Sequence, residues 1–239
     1  MNEIPVWKVS QVIPESHDVT SLELEAPPGV EIRRAPGQFA TIRVRENKGW
    51  SKPHPFTISC DSDCDTLRFT IKSVGDFTSK IRDLRAGDEV RCDGPYGSFL
   101  KGADELGSFT MIAGGVGITP FLSLLRTLRR QKSAARMVLI WSNKTAADIF
   151  VRDELTAMTL ELDLTVVHAL TRETPPEAPP GSRVHYAAGR VNADMIARWA
   201  DTTAPVFLCG PPPMQEAVLK ELANLGIDPE SVQREAFGA

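Results

Sequence analysis

Ser108-Phe109-Thr110-Met111-Ile112-Ala113-Gly114-Gly115-Val116-Gly117-Ile118-Thr119-Pro120 is the stretch that decides how this chain is organised. Up to Ala113 it is short, apolar and bounded by turn residues, the pattern of a strand buried on both faces. Three glycines then let the backbone turn sharply and approach a ligand with no side chain in the way. Thr119 suits a helix N-cap, and Pro120 suits the first helical position, where no amide donor is missed. Beyond them Phe121, Leu124, Leu125 and Leu128 recur at the spacing of one apolar helix face. A glycine turn feeding a helix start gathers free amides at the positive end of the helix dipole, so it attracts phosphate. The spacing Gly115-x-Gly117-x-x-Pro120 departs from the Gly-x-Gly-x-x-Gly dinucleotide pattern, and no carboxylate ends the next strand. Taken alone, the turn is either a nucleotide site or a tight strand-to-helix connection.

Working outward towards the end of the chain, apolar runs at 109–113, 137–141, 164–170 and 206–209 alternate with helical patterns. The helical stretches are 120–130, 147–158, 193–200 and 214–225, and a last short strand is expected at 232–236. Alternating β and α predicts a doubly wound α/β parallel sheet, whose ligands lie beyond the carboxyl ends of the strands. Residues 114–119, 142–145 and Cys209-Gly210-Pro211-Pro212-Pro213 all leave such ends, so they are expected to converge on one crevice. The loop at 173–182, with Pro175, Pro176, Pro179 and Pro180, reads as an exposed, stiffened excursion.

Towards the beginning the period changes to two. Short runs at 6–13, 20–25, 39–44, 55–59, 67–72 and 89–92 are separated by turn clusters, among them Pro27-Pro28-Gly29, Pro36-Gly37 and Ala86-Gly87-Asp88. Six short strands predict a small antiparallel β-barrel or sandwich. The division is expected near Lys101, giving domains 1–103 and 104–239.

Composition bounds the function. The 239 residues, 42% hydrophobic and 24% charged, are enough for two ordinary domains and speak against disorder. A net charge of -4 argues against bulk attraction to nucleic acid. Cys60, Cys64, Cys92 and Cys209 fit neither a zinc nor an iron–sulfur spacing, and a disulfide framework is not expected. With no long apolar run and no signal peptide, a cytoplasmic protein without a membrane span is expected.

In the β half, Pro53-His54-Pro55-Phe56-Thr57-Ile58-Ser59 is followed by Lys72-Ser73-Val74-Gly75-Asp76-Phe77-Thr78-Ser79 and Gly94-Pro95-Tyr96-Gly97-Ser98-Phe99. These resemble the flavin domain of the ferredoxin–NADP reductase superfamily. The turns at 113–120 and 209–214 and the segment Glu235-Ala236-Phe237 match that superfamily in the same order. The His-Pro-Phe-Thr form looks most like the dehydrogenase domain of ferric reductases and NADPH oxidases. The resemblance implies FAD held by His54, Pro55, Phe56, Thr57, Ile71, Lys72, Gly75, Phe77, Thr78 and Ser79. Phe56 would lie on the ring and Thr57 would bond the nitrogen that takes the hydride. Strand periodicity alone instead makes Phe56 and Ile58 a core face and Thr57 a solvent-facing residue, with Thr78 or Ser79 capping a helix.

The resemblance also implies NADH or NADPH on Gly114, Gly115, Gly117, Thr119, Pro120, Gly210, Pro211 and Met214. Cys209 would sit beside the nicotinamide, and Phe237 with Glu235 would cover the flavin. Asn143 and Asp148 resemble an NADH-selective loop, whereas Thr171-Arg172 resembles a grip on a 2′-phosphate, as an arginine fork allows. NADH is favoured. The activity implied is hydride transfer from NAD(P)H to FAD, with electrons leaving to an external acceptor, a haem, iron–sulfur or ferric species. A stand-alone ferric or flavin reductase and a non-turnover docking subunit are the alternatives. Arg33, Arg34, Arg43, Arg45, Lys48 and Lys52 are either a docking face or a solvated one.

Overall fold

A computed structural model describes residues 4–30 and 33–236. They fall into two compact units, residues 4–30 and 33–104 with 119–127, and residues 105–118 with 128–236.

The first unit contains β1 (Val6–Pro14), β2 (Val19–Glu25), β3 (Phe39–Glu46), β4 (Gly49–Trp50), β5 (His54–Thr57), β6 (Thr66–Lys72), the short helix α1 (Asp76–Lys80) and β7 (Glu89–Tyr96). Strand order is β4-β3-β7-β1-β2-β6, with β5 on the other side of β3, and the pairings are antiparallel. A bridge between Ile58 and Phe69 joins the end of β5 to β6 and closes the ring. Alternation sets the inside: Ala40, Ile42 and Val44 of β3 are buried, while Arg43 and Arg45 point the other way. Trp7, Leu22, Leu24, Leu67, Phe69 and Val90 fill the centre. The expected strands are present. The hairpin strand β4 carried too short a pattern to be read.

The second unit is a six-stranded parallel sheet. It comprises β8 (Ser108–Gly114), β9 (Arg136–Asn143), β10 (Leu164–Leu170), β11 (Val184–Ala188), β12 (Val206–Gly210) and β13 (Gln233–Ala236). Their order is β11-β10-β9-β8-β12-β13. The helices are α2 (Thr119–Gln131), α3 (Arg152–Glu161), α4 (Ala193–Trp199) and α5 (Pro212–Asn224). Residues 119–127 of α2 count with the first unit. From β8 the chain winds outward to β11, then returns to place β12 on the opposite side of β8. The order therefore reverses between β8 and β12, which is where such sheets open a binding crevice.

Three expectations change. Thr119 does not cap α2, because a 3-10 turn (Gly115–Ile118) runs straight into the helix through Ile118 in helical conformation. The helix expected at 147–158 begins only at Arg152, after a 3-10 turn (Ala146–Asp148) and a left-handed Val151 at φ 50°. Strand β11 was not anticipated; only Val184 of it is fully buried, so its apolar signature is weak. Among the described residues no helix is long and apolar enough to cross a membrane.

Candidate functional site

The glycine turn is built by contact with a second turn. A side chain on Gly114 would meet the Met214 sulfur and the Pro211 ring, and one on Gly117 would come within 2.5 Å of the Cys209 carbonyl oxygen. These two glycines are therefore required by close packing across the β8/β12 switch point. Gly115 differs: it sits at φ +52°, and no atom lies within 4 Å of where its side chain would point. Its outer face is open backbone, the surface a phosphate needs. Trp141 on β9 fixes this conformation by donating its indole N–H to the Gly115 carbonyl at 2.8 Å. The sequence reading missed this residue.

Neighbouring strand tips converge as expected. At the ends of β9 and β10, the Thr171 amide and hydroxyl both donate to the Asn143 carbonyl, and the Arg172 amide donates to Lys144. Asn143 is buried, and its side-chain NH2 has no partner among the described residues. Arg172 is exposed. The Asp148 carboxylate accepts from the amide and hydroxyl of Thr145, so it shapes the loop as well as charging it.

On the other side of the switch point, Pro212 starts α5 with its φ already helical, two residues earlier than the helical pattern from Met214 suggested. The Gln215 amide donates to the carbonyls of Gly210 and Glu235, 2.8 Å each, tying β12 to β13. Cys209 stands in register with Glu235. Burial pushes the Cys209 thiol up and raises the Glu235 carboxyl as well, and one Glu235 oxygen has no partner among the described residues. An inert thiol beside an unsatisfied carboxyl suits contact with a ligand rather than nucleophilic chemistry. Phe237 lies outside the described residues.

In the first unit His54 and Phe56 share one face of β5, as period two requires. The His54 ring stacks on Phe77 at 3.7 Å, and Phe56 lies nearly parallel to Phe77 at 6.1 Å. Pro55 is exposed. Thr57 is buried, not solvent-facing, because the chain bends after it so that residues 57–60 are all buried. Its hydroxyl has no partner among the described residues. A buried hydroxyl without a partner and half-buried aromatic faces on the same short strand fit a planar, hydrogen-bonding ring such as a flavin. Ile71 is a core side chain and offers only backbone, while Lys72 is ion-paired with Asp18 at 2.9 Å. Thr78 accepts from the amides of Val74 and Gly75, and Ser79 bonds Ser73, so their hydroxyls hold the Gly75 turn together.

The basic run does not form one face. Arg34 turns inward to the loop carrying Cys60 and Cys64, Arg45 pairs with Glu89 and covers Trp50, and Lys48 and Lys52 are solvated.

Two family models match the chain: an oxidoreductase FAD-binding domain over residues 7–100 and an oxidoreductase NAD-binding domain over residues 111–220. NADH–cytochrome b5 reductase 1 of Arabidopsis thaliana is 30% identical over 223 residues, covering 90% of this chain and 78% of that protein. The reductase component of propane 2-monooxygenase from Mycolicibacterium smegmatis is 30% identical over 237 residues, 96% of this chain but 66% of that longer protein. Among solved structures, the FAD/NAD-binding domain of nitric oxide dioxygenase from Vibrio cholerae superposes with a TM-score of 0.85 over the whole of both chains at 22% identity. A β-barrel whose strand β5 carries half-buried ring faces and a buried hydroxyl without a partner among the described residues, a parallel sheet opened at its switch point and these relatives agree. The chain belongs to the ferredoxin–NADP reductase superfamily of FAD- and NAD-binding oxidoreductases.

Proposed function

We propose that the chain takes a hydride from NAD(P)H onto FAD and delivers electrons to an external acceptor protein. The flavin, when bound, supplies the conversion between two-electron and one-electron chemistry. The chain's own residues position and shield. Thr57 donates its hydroxyl to the ring edge, Phe56 supplies ring contact, His54 lies toward the diphosphate or ribityl chain, and the turn held by Thr78 and Ser79 presents backbone amides to the diphosphate. For the nucleotide, Gly115 offers its open backbone, Gly114 and Gly117 keep the two turns in contact, and Gly210, Pro211 and Met214 form the opposing wall. Cys209 and Glu235 lie where the nicotinamide is expected, the thiol excluding water and the carboxyl accepting from the carboxamide. Phe237 as a cover for the flavin belongs to the same proposal.

The observation that carries this reading is the Thr57 hydroxyl, buried and without a partner among the described residues, on the same short strand as the half-buried rings of His54 and Phe56. NADH is favoured because Asp148 adds negative charge to the loop after β9, where a 2′-phosphate is expected. A haem protein or the oxygenase partner of a monooxygenase is the proposed acceptor class, by analogy with the named relatives. The proposed location is the cytoplasm, where free thiols such as these four persist. The domains proposed for the two cofactors are 1–103 and 104–239. An anaerobic absorbance titration tests the reading: bound flavin that bleaches on addition of NADH supports it, and folded protein that neither carries nor takes up flavin overturns it.

A further inference from the structure

Arg34, half-buried, reaches into the loop that follows β5. One of its terminal nitrogens donates to the carbonyls of Asp61, Cys64 and Thr66, at 2.7, 3.0 and 3.3 Å. The same nitrogen lies 2.8 Å from the Cys64 sulfur and 3.3 Å from the Cys60 sulfur. The loop is thus curled around one guanidinium, with two thiols four residues apart turned onto a single cation. Both thiols also reach the Thr66 carbonyl, at 3.1 Å from Cys64 and 3.4 Å from Cys60. Access is unequal: Cys60 is buried and Cys64 half-buried. We propose that Cys64 and Cys60 form a peroxide-reactive dithiol that closes to an internal disulfide, a modification site distinct from the flavin and nucleotide residues.

Charge and geometry assign the roles. The Cys60 thiol beside it and then the Arg34 cation hold the Cys64 thiol down to about 6, against burial and the Asp61 carboxylate. Cys60, set against Cys64 and more deeply buried, is pushed up. Cys64 is therefore the attacking thiolate and Cys60 the resolving thiol. Attack of the Cys64 thiolate on hydrogen peroxide breaks the O–O bond, forms a sulfenic acid and releases hydroxide, which takes up a proton. The Cys60 sulfur then displaces hydroxide from the sulfenic acid, giving the disulfide and water. Overall two thiols are oxidised and one peroxide is reduced to two waters. The loop is also fastened to α2: Ser123 and Arg126 donate to the carbonyls of Cys60 and Ser59, and the Ser62 amide donates to Thr127. Disulfide closure therefore changes the anchorage of the helix that begins at the glycine turn.

The test treats the intact chain with hydrogen peroxide and reads peptide masses after non-reducing digestion, a readout independent of flavin or activity. The peptide holding both cysteines should lose two hydrogens, while Cys92 and Cys209, both buried with raised thiols, stay reduced. Cys60→Ser should leave a sulfenic acid at Cys64 that dimedone traps, and Cys64→Ser should abolish oxidation at Cys60. Iodoacetamide at pH 6.5 should label Cys64 about five- to tenfold faster than free cysteine, its greater thiolate fraction being partly offset by lower nucleophilicity. Labelling no faster than free cysteine, or oxidation of Cys64 to sulfinic acid with Cys60 still reduced, overturns the proposal.

Discussion

Replacing Thr57 with Val separates the two states of the protein, because its effect should change sign between them. Among the described residues the Thr57 hydroxyl is buried and has no partner. Leaving such a group without a partner costs about 1–3 kcal/mol, and Val removes it at nearly constant shape. After allowance for the slightly larger methyl, the flavin-free variant should be more stable by about 1 kcal/mol. For a chain of this size that is a rise of about 2–4 °C in melting temperature, read by calorimetry. With flavin bound, the variant instead lacks a hydrogen bond worth about 0.5–1.5 kcal/mol, so stopped-flow flavin reduction by NADH should slow by about two- to tenfold. A general packing defect would lower both quantities together. A fall in the flavin-free melting temperature, or an unchanged reduction rate with unchanged flavin affinity, refutes the reasoning.

Three further outcomes are expected. Gly117→Ala places a carbon against the Cys209 carbonyl and should cost about 3 kcal/mol, whereas Gly115→Ala meets open space and pays only for its left-handed backbone, about 1–2 kcal/mol; urea denaturation giving the opposite ranking refutes the packing account. Burial holds His168 down to about 4, from 6.5. Between those values the unfolded chain takes up a proton that the folded chain refuses, so stability should fall by up to about 3 kcal/mol as pH drops from 6.5 to 4. His168→Leu should flatten that window, and identical pH slopes for the two proteins would contradict it. Asp148→Asn keeps an acceptor for Thr145 while removing the charge, so the NADPH:NADH ratio of kcat/KM should rise about fivefold; an unchanged ratio shows that the charge does not select the cofactor.

The doubly wound half was readable because its strands are continuous apolar runs separated by helical periods, and β8, β9, β10 and β12 stand where those runs predicted. What escaped reading depends on contacts between distant segments. Trp141 looks like another core residue until its N–H is found on the Gly115 carbonyl. Thr57 alternates as a solvent residue in sequence, yet it is buried where the chain passes into the Ile58–Phe69 bridge. Arg34 belongs to a basic run in sequence, yet the carbonyls of Asp61, Cys64 and Thr66 draw it inward. The late start of α3 follows from Asp148, which closes its own turn on Thr145 and so detaches residues 146–148 from the helix. Resemblance supplied the cofactor residues. Periodicity alone left each of them ambiguous.

The crowding of Gly114, Gly210 and Met214 has a consequence for how this sequence can change over time. A side chain at Gly114 collides with the Met214 sulfur, and one at Gly210 comes within 3.1 Å of the same sulfur and of the Gly114 amide. These sites are therefore inherited as one unit, and drift at any of them stalls unless another gives way. In a library varying both positions, Gly114→Ala should survive selection for nucleotide binding when paired with Met214→Val, and fail when Met214 is kept.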